Sequence, residues 1–126
     1  DTKYSKIENA EYINQFLIRA IQEDSTYGEA YALIALTKFI LISNITDAGK
    51  INIELDEVDK NVQAALHYDT GNILAVSEKV ELLHIMSSKD QVDYNTEYGR
   101  KLFNNIADNL LEIAISSYST IEGENL

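Results

Sequence analysis

Three times the chain closes an amphipathic stretch on nearly the same six residues. They are Ala20-Ile21-Gln22-Glu23-Asp24-Ser25, Ala65-Leu66-His67-Tyr68-Asp69-Thr70 and Ala114-Ile115-Ser116-Ser117-Tyr118-Ser119. The copies stand 45 and then 49 residues apart. A period on this scale marks helix pairs that cannot bury an apolar face alone and stack on neighbours to do so. The recurrence predicts an all-α fold and constrains the architecture more than any single residue does.

The residues between the repeats agree with it. Apolar positions at helical spacing, Ile7, Ala10, Ile13, Phe16, Leu17, Ala20 and Ile21, predict a first helix over 5–22. Residues 24–28 are turn and cap chemistry, with Ser25 or Thr26 as the expected N-cap of a helix over 28–43. That second helix is apolar on most faces and is expected to be the most buried element. Residues 44–53 break the pattern and read as a long loop or irregular insertion. Helical spacing returns at Leu55, Val58, Val62, Ala65 and Leu66, giving a third helix over 54–68. After a turn at 69–72, Ile73, Ala75, Val76, Val80, Leu83 and Met86 give a fourth over 73–87. A last helix runs from about 94 to 118, either continuous or broken near Gly99, and residues 122–126 read as frayed. The expectation is five helices in one domain spanning 1–126. The chain begins with Asp rather than Met, which we read as a piece of a longer protein.

Charge narrows the function classes. The formal net charge is −11, with Asp and Glu twice as numerous as Lys and Arg. Direct nucleic-acid binding and attraction to anionic membranes both need clustered Lys and Arg, so both are disfavoured. A basic partner is favoured instead. No apolar run approaches the roughly 20 residues of a membrane span. Cysteine is absent, which excludes disulfides and thiolate metal sites.

Few residues suggest chemistry. Glu81 and His84 form a Glu-x-x-His, which on a helix puts carboxylate and imidazole on one face; a di-iron bundle needs two such pairs and two further Glu. His67 has Ala64 where the second Glu would stand. Asp56, Glu57 and Asp59 lack a calcium-loop geometry and read as an acidic first turn that suits the helix dipole. No nucleophile turn and no phosphate-cradling glycine loop is present, so we expect no enzyme, no metal and no cofactor. Tyr12, Tyr27 and Tyr31 gather near the first turn and are expected to pack between helix pairs with their hydroxyls at the surface, a ligand-contacting patch being the alternative.

The turns resemble those of tetratricopeptide repeats. In that family a helix ends in an Ala-aliphatic pair, then an acidic residue and Pro; here Asp24-Ser25 and Asp69-Thr70 stand in that place. Tyr31, Ile34 and Ala35 match the aromatic, aliphatic and small positions of the next helix, and Ala30 and Ala75 another small position. The signature proline is missing at every turn, Lys38 replaces a tyrosine, and the period exceeds the usual 34. The order Ala20-Ile21, Asp24, Tyr27 to Ala35, long loop, Ala65-Leu66, Asp69 is also similar to the C-terminal helical regions of ToxR/CadC-type bacterial transcription regulators.

The resemblance implies a right-handed stack of antiparallel helix pairs with a concave groove lined by the helices at 28–43 and 73–87. By that register Glu29, Leu36, Phe39, Ser77, Glu81 and His84 would line the groove. The implied function is a non-catalytic protein-interaction or regulatory module, taking a peptide or protein partner with a basic residue. A small-molecule-sensing domain is the first alternative and a helical-bundle metalloprotein the second. Truncated repeats leave an uncapped apolar face, so a homodimer through the first or last helix is a further expectation.

Overall fold

The computed structural model describes residues 2–45, 47–88 and 96–125, with side chains at 8–45, 47–88 and 96–117. The regular structure among them is entirely helical: α1 (Thr2–Glu23), α2 (Gly28–Ile42), α3 (Ala48–Tyr68), α4 (Ile73–Ser87) and α5 (Glu97–Asn125). The all-α expectation and the count of five helices agree with this.

Short polar side chains decide where the helices begin. In the first turn neither Ser25 nor Thr26 caps α2 as expected; the Asp24 carboxylate holds the turn instead. Its Oδ1 accepts hydrogen bonds from Thr26 Oγ1 at 2.7 Å and Thr26 N at 3.0 Å. These bonds, the side-chain one foremost, hold the Asp24 carboxyl below its ordinary pKa. Tyr27 then stands at the N-cap of α2 with no side-chain cap bond. A carboxylate that folds back onto the backbone two residues on is an alternative to helix capping, and here it wins. In the matching turn at 69–72, Asn72 Oδ1 caps α4 by accepting from Ala75 N at 2.8 Å. The two turns touch. A Cβ added to Gly28 would stand 2.8 Å from Asp69 Cβ and 3.1 Å from Ala65 O, so only glycine lets α2 start against the end of α3.

The long loop expected over 44–53 is mostly helix. Asp47 Oδ1 accepts from Gly49 N at 2.8 Å and Lys50 N at 3.3 Å, which starts α3 at Ala48. Ile51 then points inward and is fully buried. Asp56, Glu57 and Asp59 are therefore mid-helix residues and not a first turn. Asp59 pairs with Lys79 at 3.8 Å and Glu57 with Lys60 at 3.4 Å. α5 is one continuous helix that carries past 118 to Asn125. Gly99 lies in its first turn and donates its N–H to Thr96 Oγ1 at 3.2 Å. Residues 94 and 95, the expected start, lie outside the described residues.

Helix α2 is the centre of the fold. Its apolar surface extends round most of its circumference, and α1, α3, α4 and α5 all pack on it. α4 also packs on α3 and on α5. Among the described residues α5 touches α2 and α4 but neither α1 nor α3. The core joins Leu36, Phe39 and Ile42 of α2 to Ile51, Val58 and Val62 of α3, Leu74, Leu82 and Ile85 of α4, and Phe103, Ile106 and Leu110 of α5.

Candidate functional site

The six residues expected along a groove are not gathered on one open surface. Phe39 is fully buried and Leu36 is 4% exposed. Both belong to the core; Phe39 lines no open surface, and Leu36 shows only an edge. The cause is α5, which packs across α2 and α4 on the side where the groove was expected. Leu36 borders Leu111, Ala114 and Ile115 of α5. Glu81 and His84 border Tyr98, Leu102 and Ile106 in a cleft of about 180 Å³ between α4 and α5. Ser77 donates its hydroxyl to Ile73 O at 2.9 Å, within its own helix. Glu29 sits at the start of α2 and accepts a hydrogen bond from Asn72 Nδ2, which also donates to Asp69 Oδ2 at 3.1 Å. That contact ties the head of α2 to the cap of α4.

A different groove is open. Among the described residues α1 and α5 both rest on α2 without touching each other, and a space of about 310 Å³ lies between them. Its floor is Leu33, Leu36, Thr37 and Ile40 of α2. Asn9, Ala10 and Ile13 form one wall and Leu111, Ala114 and Ile115 the other. The floor presents little unmet polarity, because the Thr37 hydroxyl donates to Ile34 O at 2.7 Å, with Asn14 Oδ1 3.2 Å away. On the walls Ile13 is 47% and Ile115 57% exposed. Tyr12 and Phe16, in edge-to-face contact at 5.0 Å, extend the apolar surface along the outside of α1. Ile13 and Phe16 thus belong to a stripe wider than α2 alone can cover. That excess width was the available signal for this groove.

The tyrosines divide. Tyr31 stacks on Tyr68 at 5.8 Å and donates its hydroxyl to Ser25 O at 2.8 Å, whereas Tyr12 pairs with Phe16 and Tyr27 is exposed.

Helix α4 holds two further departures. Its packed face is Leu74, Ala75, Glu78, Leu82 and Ile85. The apolar positions Ile73, Val76, Val80, Leu83 and Met86 instead face solvent. Glu78 is completely buried, and neither of its carboxyl oxygens has a hydrogen-bond partner among the described residues. Burial, and secondarily the charge of Glu29, pushes its pKa well above the ordinary 4.5. A carboxyl in that setting keeps its proton rather than carry a bare charge into the core.

Among the described residues no three His, Asp or Glu side chains are grouped so as to hold a metal ion, and no helix is long and apolar enough to cross a membrane. No protein-family model, no curated protein and no solved structure matches this chain.

Proposed function

We propose that this chain is a non-catalytic protein-interaction module of tetratricopeptide-like type, and that its partner seats an apolar helix face between α1 and α5. The observation that carries the reading is the open apolar groove floored by α2. Two helices that flank a third without meeting leave a trough bordered by helices on three sides. An amphipathic helix laid into such a trough gains affinity from apolar burial, with anchors at helical spacing. Exposed apolar surface that is contiguous, here from Tyr12 and Phe16 through Ile13 to Ile115, is characteristic of interaction sites. The net charge of −11 favours basic residues on the outer face of the partner. By the resemblance to ToxR/CadC-type regulators, such recognition would be the control input of a larger protein.

The test uses the Ile13→Asp/Ile115→Asp double variant, both sites being half exposed in the folded chain. Wild type and variant are immobilised, and proteins retained from native lysate are identified by mass spectrometry. The recovered partner is then titrated against both by calorimetry. Binding to the wild type and loss in the variant is the expected result. Equal binding by both refutes the groove. The size of the groove also supports a second reading, a small apolar ligand, since pockets of about 300 Å³ are large enough to hold one. That reading expects a compound that raises the melting temperature of the wild type and not of the variant.

A further inference from the structure

The inward face of α4 reads Leu74, Ala75, Glu78, Leu82 and Ile85, four apolar residues and one carboxyl. An ionisable group so placed opposes folding unless something nearby meets its charge. Among the described residues nothing does. α2, α3 and α5 all pack on α4. From α2 the charge that reaches Glu78 is Glu29, of the same sign; among the described residues no ionisable group of α3 or α5 offsets it. Lys79, the next residue along, is taken up by Asp59 of α3 at 3.8 Å. The polar side chain that joins α2 to α4 is Asn72, and its donors are fully committed. Its Nδ2 donates to Glu29 and to Asp69 Oδ2 at 3.1 Å, while its Oδ1 accepts from Ala75 N at 2.8 Å. A side-chain amide has two N–H donors, so none is left for a second carboxylate.

We propose that Glu78 is the proton-sensing element of a latch between α2 and α4. With its carboxyl protonated the two helices stay closed; when it ionises, the first turns of α4 lift off α2 and admit water, and the rest of the fold stays in place. The buried site offers an ionised Glu78 no donor, and Glu29 adds repulsion, so water must come to the carboxylate or the carboxylate to water. The lift is local because polar ties secure the start of α4: the Asn72–Glu29 bond and the Asn72 cap on Ala75. Gly71, just before that cap, stands in open space, and a Cβ there would meet nothing within 4 Å, so the turn can swing. Further along, Leu82 and Ile85 remain in the core with Phe103 and Ile106 of α5. Elements that switch are drawn from such locally opening segments. No residue of α4 lines the α1/α5 groove, so the latch stands whether or not that groove takes a partner.

NMR of the full chain, carbon-13 labelled at the glutamate carboxyls and titrated upward from pH 4.5, tests this, with amide exchange followed on the same samples. The Glu78 resonance, identified by its absence in Glu78→Gln, should titrate well above the other glutamates. Through its midpoint Ala75 and Val76 should lose about tenfold or more of their protection relative to Val58 and Val62 of α3, a pKa unit of linkage being a factor of ten. Glu78→Gln should hold that ratio constant. Glu29→Gln removes the like charge, so the midpoint should move to lower pH with the opening still attached to it. The proposal is overturned if Glu78 ionises with no loss of protection at Ala75 and Val76, or if Val58 and Val62 lose theirs in step. It is also overturned if Glu78→Gln opens at the same pH, or if the midpoint stays in place in Glu29→Gln. A Glu78 resonance that titrates among the other glutamates, or not at all before the chain unfolds, overturns it as well.

Discussion

Replacing Glu78 by glutamine should change how the fold answers to pH. In the folded chain burial keeps this carboxyl protonated well above 4.5, while in the unfolded chain it titrates near 4.5. Between those two values the native state binds one more proton than the unfolded state. Unfolding free energy therefore falls with rising pH, by about 1.4 kcal/mol per pH unit from this group. The loss begins as pH passes the unfolded value and levels off once the folded-state pKa is passed. Glutamine is nearly isosteric and carries no charge at any pH, so it removes this slope and leaves other carboxylates in place. Urea denaturation of both proteins should be followed by circular dichroism in half-unit steps upward from pH 4.5, at constant ionic strength. The stability difference, variant minus wild type, should be smallest at the acid end and grow by about 1.4 kcal/mol per unit before reaching a plateau. Subtracting the two curves cancels the general repulsion of an acidic chain. Parallel curves, with a difference independent of pH, would refute the reasoning, because Glu78 would then ionise alike in both states.

Three other perturbations test the fold. Phe39→Ala should cost about 3–5 kcal/mol in urea denaturation, the range for emptying a fully buried aromatic site, and should do so without any partner present. Asp47→Ala removes the acceptor for Gly49 N and Lys50 N and should cost about 1 kcal/mol, with hydrogen exchange rising first at residues 48–51. Gly28→Ala places a methyl 2.8 Å from Asp69 Cβ and should destabilise by about 1–3 kcal/mol by thermal unfolding, where an open helix start would show little change.

What could be read beforehand was whatever local chemistry encodes. The turns at 24–28 and 69–72 could be read from their polar residues, but the start of α2 could not: the Asp24 carboxylate bonds Thr26 within its turn instead of Ser25 or Thr26 capping the helix, and the need for Gly28 comes from the end of α3. The first two turns of α3 were lost because Asn52 and Ile53 face solvent and blur the periodicity around Ile51. A single side chain, Asp47, starts the helix there. The two apolar faces of α4 could be seen as composition, but periodicity cannot say which face the tertiary contacts choose, and the face carrying Glu78 is the packed one. The groove fared similarly. Glu81 and His84 do border a cleft, but its other side belongs to the same chain. Nothing in the spacing of Leu102, Ile106, Leu110 and Leu111 tells that α5 would lie over α2 and α4.

The placement of α5 has a consequence for how the molecule unfolds. Stacked helical repeats meet only their neighbours in sequence, so such chains can fray from an end one unit at a time. Here the last helix rests on the second, and α3 and α4 lie between them in the chain. Leaving the native state from the C-terminal end therefore uncovers the side of the central helix that α5 packs on. The contact closes a long loop, and folding must wait for its two ends to meet. Such a chain behaves as one cooperative unit, in which slow-exchanging amides of α2 and α5 should open together.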